Sequence, residues 1–399
     1  MYRSHFQEEL DRHIREHGGL FNAHAHIDRF GTAPATSGLA SRQFPVPETV
    51  RLWDKQGLTH RLHVGAAYTA ASLERRLATF LEESAAVGVR RLDTFVDVAP
   101  AIRLDDGLGA LNVALRLKER FRGAIDVRVG AYAPFGLVRE GAGYWETYSE
   151  AARRADFLAS SPERDDAEFY DAEGAHLGFT VHLDRMIDLA LGLGKPVHFH
   201  LDQQVNPYER GTERLVERLE SREAGTPALA GVAEPQIFSV HCVSPSTYDA
   251  ERRNGLFHRM ARLNVGVICC PSAALSMRRL TFLRAPINHG VAEVFEMAVR
   301  GVTVRIGTDN VDDLFLPTTS LDSRAEVARL AEALRFYEVG VLAKLACGIS
   351  LDAADRERVR EHLAREDAIL ARHRAKLASL GFLPADSGPR PDHETVTSA

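Results

Sequence analysis

The chain has 399 residues, 45% hydrophobic and 26% charged, a balance that permits one large core or two ordinary ones. Its net charge of −6 argues against a nucleic-acid surface, which needs clustered Lys and Arg, and no apolar run approaches the ~20 residues of a membrane helix. Four cysteines (Cys242, Cys269, Cys270 and Cys347) without C-x-x-C spacing suit a reducing cytoplasm and exclude a cysteine-rich zinc module.

In chain order, the charged opening from Met1 to Leu10 predicts no secretory signal. Leu20 to His26 begins a series of eight short apolar runs. The others are Arg91 to Val98, Ile125 to Tyr132, Asp156 to Ser160, Pro196 to Leu201, Ile237 to Cys242, Val265 to Cys269 and Val302 to Gly307. Helical patterns fall between most of them, over Ala71 to Ala86, Leu108 to Phe121, Leu183 to Leu193, Glu209 to Ser221, Ser246 to Leu263 and Val291 to Val299. Eight βα units predict an α/β fold of the (β/α)8 TIM-barrel type. The segment Gly31 to Ala66, rich in Pro and Ser, reads as a lid insertion, because the C-terminal ends of barrel strands carry the active site. Acidic Pro162 to Gly174 reads as a solvated loop. Residues 318–383 read as an appended helical layer, with helices over Ser323 to Lys344 and Ala353 to Leu380. One barrel domain over 1–383 is expected, followed by a disordered polar tail, 384–399.

The chemistry begins at Asn22-Ala23-His24-Ala25-His26-Ile27-Asp28. Residues two apart on a strand share a face, so His24 and His26 can converge on one point, and imidazole is the commonest ligand for a catalytic metal. Further donors should then end other strands. Val197-His198-Phe199-His200-Leu201-Asp202-Gln203 ends run five, Val240-His241 ends run six, and Gly307-Thr308-Asp309-Asn310 ends run eight. Donors of these kinds could hold a divalent ion, which lowers the pKa of a bound water from ~15.7 towards ~7.

The order His-x-His, His, His, Asp on strands one, five, six and eight resembles the amidohydrolase superfamily. It is most similar to the cytosine deaminase branch, which includes N-isopropylammelide hydrolases. The resemblance rests on His24 to Asp28, Thr94 to Val98, Val197 to Gln203 and Gly307 to Pro317, and spans roughly Leu20 to Pro317. Adenosine-deaminase-like enzymes share the ligand order and a Cys-Pro after strand seven, here Cys270-Pro271. The resemblance implies His24, His26, His200 and Asp309 as metal ligands, with His198 a rival to His200. It makes His241 the group acting on the attacked centre and Asp309 the acceptor of the water's proton. No lysine lies near run four to bridge two ions, so one divalent ion is expected, zinc first, with iron and manganese open.

The pattern departs from the deaminases at Gln203, where they carry a glutamate that shuttles protons to the ring; an amide cannot take up and return a proton. Strand three, Ala131 to Gly136, lacks the glutamine that reads a pyrimidine carbonyl. The N-terminal flank is too short for a β-sandwich. On the substrate side, Trp53 and Phe315 could stack on a planar ring, Phe135 follows strand three, and Asp97 and Asp202 end strands two and five. Asp312 and Asp313 read as a helix start. The expected function is metal-dependent hydrolysis of a C–N bond in a small polar nitrogen compound, a heterocycle first, with no nucleic-acid or membrane partner and a homo-oligomer left open. The competing expectation, prompted by Gln203, is a metal-binding protein of the same fold without catalysis.

Overall fold

The computed structural model describes residues 3–33, 52–137, 143–166, 177–223 and 234–383. Eight parallel strands stand in sequence order: β1 (Leu20–His26), β2 (Val89–Asp97), β3 (Asp126–Ala133), β4 (Phe157–Ser160), β5 (Val197–Leu201), β6 (Ile237–His241), β7 (Val265–Cys269) and β8 (Val304–Ile306). Around them lie α1 (His5–Glu16), α2 (Leu52–His63), α3 (Ala70–Ala86), α4 (Gly109–Arg120), α5 (Tyr144–Arg154), α6 (Phe179–Leu193) and α7 (Gly211–Glu223). Then follow α8 (Ala250–Arg262), α9 (Pro271–Leu275), α10 (Val294–Val299), α11 (Arg324–Ala333), α12 (Val339–Ala346) and α13 (Ala353–Ser379). This is the expected TIM barrel. Among the described residues, no helix is long and apolar enough to cross a membrane.

The strands are buried on both faces, as parallel barrel strands must be. Their outward residues (Val197, Phe199 and Leu201 on β5) pack under the helices in the main core, while Phe95, Tyr132, Phe157 and Ala159 form an aromatic cluster inside the barrel. Lys195, just before β5, gives its ammonium to the carbonyls of Ala152 (2.9 Å), Arg153 (2.6 Å) and Ala155 (2.5 Å), closing the C-terminal end of α5.

Four helices were not anticipated: α2 inside the insertion, the five-residue α9, α1 and α5. α1 is set by a Ser4–Gln7 capping box and buries Leu10 and Ile14 against α12. α5 buries Tyr144, Tyr148, Ala151 and Ala152, an i, i+4, i+7, i+8 face hidden among polar residues. Its tyrosines bond strand carbonyls, Tyr144 to Val98 (2.9 Å) and Tyr148 to Ala159 (2.9 Å). The solvated loop expected from Pro162 is corrected over Pro162–Asp165, a buried 3-10 turn. Its charge is satisfied internally: Asp165 accepts from the Leu137 amide (2.8 Å) and pairs with His182 Nδ1 (2.6 Å). Asp313 does not start a helix; its carboxylate accepts the amides of Phe315 (2.8 Å) and Leu316 (3.0 Å) and folds a turn. Half of the lid (34–51), residues 167–174 of the acidic loop, and the tail (384–399) lie outside the described residues.

The barrel closes between β8 and β1. The Asp309 amide donates to the His24 carbonyl (2.9 Å), and the His26 amide reaches the Asp309 carbonyl (3.4 Å). The Asn22 side chain stitches the seam, donating to Thr308 Oγ1 (2.9 Å) and accepting from the Thr308 amide (3.1 Å). Gly307 is required there, since a Cβ would overlap the His24 Cβ and lie 2.8 Å from its backbone N and O. Gly307→Ala is therefore expected to cost about 1–3 kcal/mol by overpacking. Urea denaturation checks this, and an unchanged midpoint would contradict a seam this tight.

Candidate metal centre

Ladder irregularities aim the histidines. Along β1 the chain advances three residues, Asn22 to Ala25, while its partners on β2 advance two, Leu92 to Thr94. This bulge switches the inward set. Before it, Phe21 and Ala23 pack with Phe238, Val240 and Ile268; after it, the His24 and His26 rings face Phe95 at 4.5 and 5.5 Å. On β6, strict alternation would turn His241 outward with Ser239, whose hydroxyl bonds Thr212 on α7 (2.8 Å). Instead His241 has φ 75°, and its ring lies 5.4 Å from that of His200 and 5.9 Å from that of His24. Asp202 (φ 54°) and Asp309 (φ 60°) also sit in the left-handed region. Such non-glycine residues cost of order 1–3 kcal/mol each and gather at functional sites.

His24, His200 and His241 can each offer a ring nitrogen within 4.8 Å of the others, as can His24 and His26 with a carboxylate oxygen of Asp309. The Nε2 atoms of His24 and His26 each lie 3.3 Å from Asp309 Oδ1. The Nδ1 atoms of His24 and His26, and both ring nitrogens of His200, are buried without a hydrogen-bond partner. Buried polar atoms are normally satisfied, so a cluster of orphaned nitrogens around a carboxylate fits a cation. Protonation also matches. Burial, reinforced by the Arg29 charge, pushes His26 down to about 4 despite Asp309; burial does the same to His241, and holds His200 well below the ordinary 6.5. Burial opposes ionisation of Asp309, but hydrogen bonds from His24 and His26 and the nearby His241 outweigh it and keep its carboxyl well below the usual range. Neutral imidazoles and an ionised carboxylate are the forms in which a metal is bound.

His198, the rival ligand, is in neither cluster. Its ring stacks among Phe157 (4.6 Å), Phe238 (4.9 Å) and Phe95 (5.6 Å), below the mouth. Asp97 and Asp202, expected to face substrate, have both oxygens committed. Asp97 takes a bidentate bond from Arg29 (2.9 and 2.7 Å) and a contact from His63 Nε2 (2.8 Å). Asp202 accepts from the amides of Gly211 (2.7 Å) and Thr212 (2.8 Å), anchoring the start of α7. Phe315 lies over Arg29 (5.2 Å), and Phe135 packs on His63 (5.6 Å). The Trp53 side chain lies outside the described residues.

The sequence reading missed the second ring of groups. Arg29 sits between the Tyr132 and Phe315 rings, 5.6 and 5.2 Å from their centroids, and His63 ties α2 to the end of β2 through Asp97. Tyr68 donates to Asp28 (2.8 Å), and burial beside the Asp97 charge raises the Asp28 carboxyl to about 7. Burial opposes Asp97 ionisation too, but Arg29 and His63 hold it far below the carboxylate range. Near Gln203 stands Glu163, which accepts from the Asp202 amide (2.7 Å); burial and the charges of Glu209 and Asp202 push its carboxyl well above the usual range. Gln203 Nε2 is buried, and the side chain lies against the Glu163 carboxyl. Only the position of Arg29 immediately after the His-x-His-x-Asp run, and His63 within the insertion, could have signalled these roles.

No family model matches the chain. A protein of uncharacterised function from Haemophilus influenzae is 25% identical over 296 residues, 73% of this chain and 95% of that one. A 5-methylthioadenosine/S-adenosylhomocysteine deaminase of Moorella thermoacetica is 29% identical over 154 residues, 38% of this chain and 29% of that protein. Among solved structures, 5-methylcytosine deaminase from Klebsiella pneumoniae superimposes with TM-score 0.63 at 21% identity, covering 86% of this chain and 82% of the enzyme. N-isopropylammelide isopropylaminohydrolase from Burkholderia multivorans gives 0.58 at 20% identity with the same two coverages. Guanine deaminase from C. acetobutylicum gives 0.53 at 12%, covering 83% of this chain and 72% of that one. The fold is the one these deaminases and amidohydrolases share.

Two outcomes test the centre. Imidazole nitrogen shifts of the metal-free protein should show His26 and His241 neutral from pH 8 down to 5, protonating only near 4; titration near 6.5 would contradict their burial as neutral groups. His200→Asn should lose most bound metal, while His198→Asn keeps it, as measured by elemental analysis of dialysed protein. The reverse pattern would make His198 the ligand.

Proposed function

We propose that this chain is an enzyme of the amidohydrolase superfamily. On this reading it is a mononuclear, metal-dependent hydrolase that attacks a C–N bond of a small, polar nitrogen compound, a heterocycle first. The observation that carries the reading is the convergence of His24, His26, His200, His241 and Asp309 at the C-terminal ends of β1, β5, β6 and β8. In TIM-barrel enzymes that face is where catalysis sits. The fold shared with cytosine and guanine deaminases and an N-isopropylammelide hydrolase supports the same reaction class.

His24, His26, His200 and Asp309 would hold one divalent ion, zinc first, with iron or manganese suited to the same donors. When bound, such an ion supplies Lewis acidity and a water of lowered pKa. The remaining work falls to side chains. Asp309, ionised, can take a proton from the attacking water and return it to the leaving nitrogen. His241, neutral, can hydrogen-bond the oxygen or nitrogen that gains charge at the attacked carbon. Gln203, buried beside Glu163, can donate to a ring nitrogen or carbonyl but cannot shuttle a proton. The reaction is therefore one in which Asp309 and His241 carry all proton transfer, or one that needs no ring protonation. Arg29, Phe315 and Phe135 flank the substrate side.

Gln203 also favours a second reading, a metal-loaded protein of this fold that binds without turning over. Ammonia or amine release from a panel of amino- and oxo-substituted nitrogen heterocycles separates the two, since an inert, metal-replete protein would support binding alone. On an active substrate, His241→Ala should lower kcat by about 10²–10⁴-fold with metal content retained; loss of metal would make His241 a ligand. Gln203→Glu should leave a reaction that avoids ring protonation no faster. A large gain on the native substrate would instead show that its turnover is limited by ring protonation.

A further inference from the structure

Five tyrosines are buried among the described residues, and four of them bond to protein. Tyr68 donates to Asp28 (2.8 Å), Tyr144 to the Val98 carbonyl (2.9 Å), Tyr148 to the Ala159 carbonyl (2.9 Å), and Tyr248 to the Glu209 carbonyl. The fifth, Tyr132, is 3% exposed, and its hydroxyl has no hydrogen-bond partner among the described residues. Buried hydroxyls are normally satisfied, and a phenylalanine would fill the same space without stranding one.

Its place in the barrel accounts for the difference. Tyr132 is the penultimate residue of β3, and its ring lies in the mouth, 4.7 Å from the His200 ring and 5.2 Å from the His26 ring. The Arg29 guanidinium stands 5.6 Å from its centroid. The charged groups that act on its oxygen are Arg29, Asp97, Asp309 and Arg164, so the hydroxyl is within reach of both Asp309 and the Arg29–Asp97 pair. A phenol ordinarily ionises near ~10, so at neutral pH it carries a proton to donate. Asp97, on the neighbouring strand, has both oxygens committed to Arg29 and His63 and is not left to receive an N–H from a substrate. This side of the site therefore offers a hydrogen, and an oxo oxygen is the substrate atom that answers it best.

We propose that Tyr132 is a substrate-binding residue whose hydroxyl donates to an oxo group on the ring being hydrolysed, selecting oxo-substituted nitrogen heterocycles over analogues without that oxygen. This rests on the hydrolase reading above and narrows its substrate class. Proton transfer stays with Asp309 and His241; Tyr132 adds binding and orientation.

Two measurements test it, and the first needs no substrate. Tyr132→Phe strands nothing and should melt no lower than wild type. Tyr148→Phe, which loses bonds to the Ala131 (3.1 Å) and Ala159 (2.9 Å) carbonyls, should melt lower. An equal fall in the two variants would give the Tyr132 hydroxyl a structural partner and overturn the proposal. The second is ammonia release by the zinc-reconstituted full chain from matched pairs: cytosine and 4-aminopyrimidine, guanine and 2-aminopurine, 5-azacytosine and 2-amino-1,3,5-triazine. Where the oxo-free member is not turned over, its binding is read as competitive inhibition. Tyr132→Phe should lower kcat/KM for the oxo member by about ten- to hundredfold, leave the oxo-free member unchanged and keep its metal. No loss, or the same loss on both members, would overturn the proposal and leave the hydrolase reading standing. A metal-replete wild-type chain that releases ammonia from no pair would overturn both.

Discussion

The mouth of the barrel depends on one seam, the meeting of β8 with β1. There the Asp309 amide and the His24 carbonyl bond at 2.9 Å, Asn22 and Thr308 lock side by side, and Gly307 lets the two strands approach. The seam fixes the Asp309 carboxylate against the Nε2 atoms of both histidines of the pair, 3.3 Å from each. Were β8 to slip by one residue, the carboxylate would face the helices, because side-chain direction alternates with a period of two. A bulge in β1 and left-handed backbone at His241 and Asp309 complete the convergence. Each irregularity costs stability, and orphaned ring nitrogens cost more. A bound cation would offset that cost at the ring nitrogens.

Around this centre lies a second ring that couples it to the insertion after β1. Arg29 grips Asp97, Asp97 receives His63 from α2, and Tyr68 joins the pair through Asp28. The network is buried, with Asp28 Oδ1 and His63 Nδ1 left without hydrogen-bond partners, and its bonds tie α2 and Arg29 to the end of β2 beside Phe135 and Phe315. On the opposite side, Asp202 anchors α7, and Glu163, its carboxyl pushed up by burial, lies close to Gln203. The Arg29 charge is matched by Asp97 inside the network.

Much of this was legible in the sequence. The alternation of apolar runs and amphipathic segments showed eight βα units, and β1 and β7 begin and end where those runs do. The strand-end donors were legible because a polar residue directly after a buried run has only the barrel mouth to occupy. What stayed hidden follows from what periodicity cannot carry. The β1 bulge and the positive φ of His241 leave no mark in an alternation pattern; strict alternation would have sent His241 outward. Choosing between His198 and His200 needed the aromatic stack that encloses His198. Asp97 and Asp202 read as substrate-facing because their strand-end positions were visible but their partners, Arg29 and the amides at the start of α7, were not. α1 and α5 were missed because their buried faces are short and diluted by charge, and Pro162–Asp165 because buried acids that bond within the chain look like solvated ones in sequence.

The central claim is that five side chains at the closed end of the seam are built around one ion. X-ray absorption at the edge of the metal that co-purifies tests it most directly. The account requires one ion per chain, bound by imidazole nitrogens and at least one carboxylate oxygen at about 2.0–2.2 Å, with the imidazole signal reduced in His24→Asn. A protein that takes up no divalent ion after metal reconstitution, or one whose ion sits in a shell without imidazole, would contradict it.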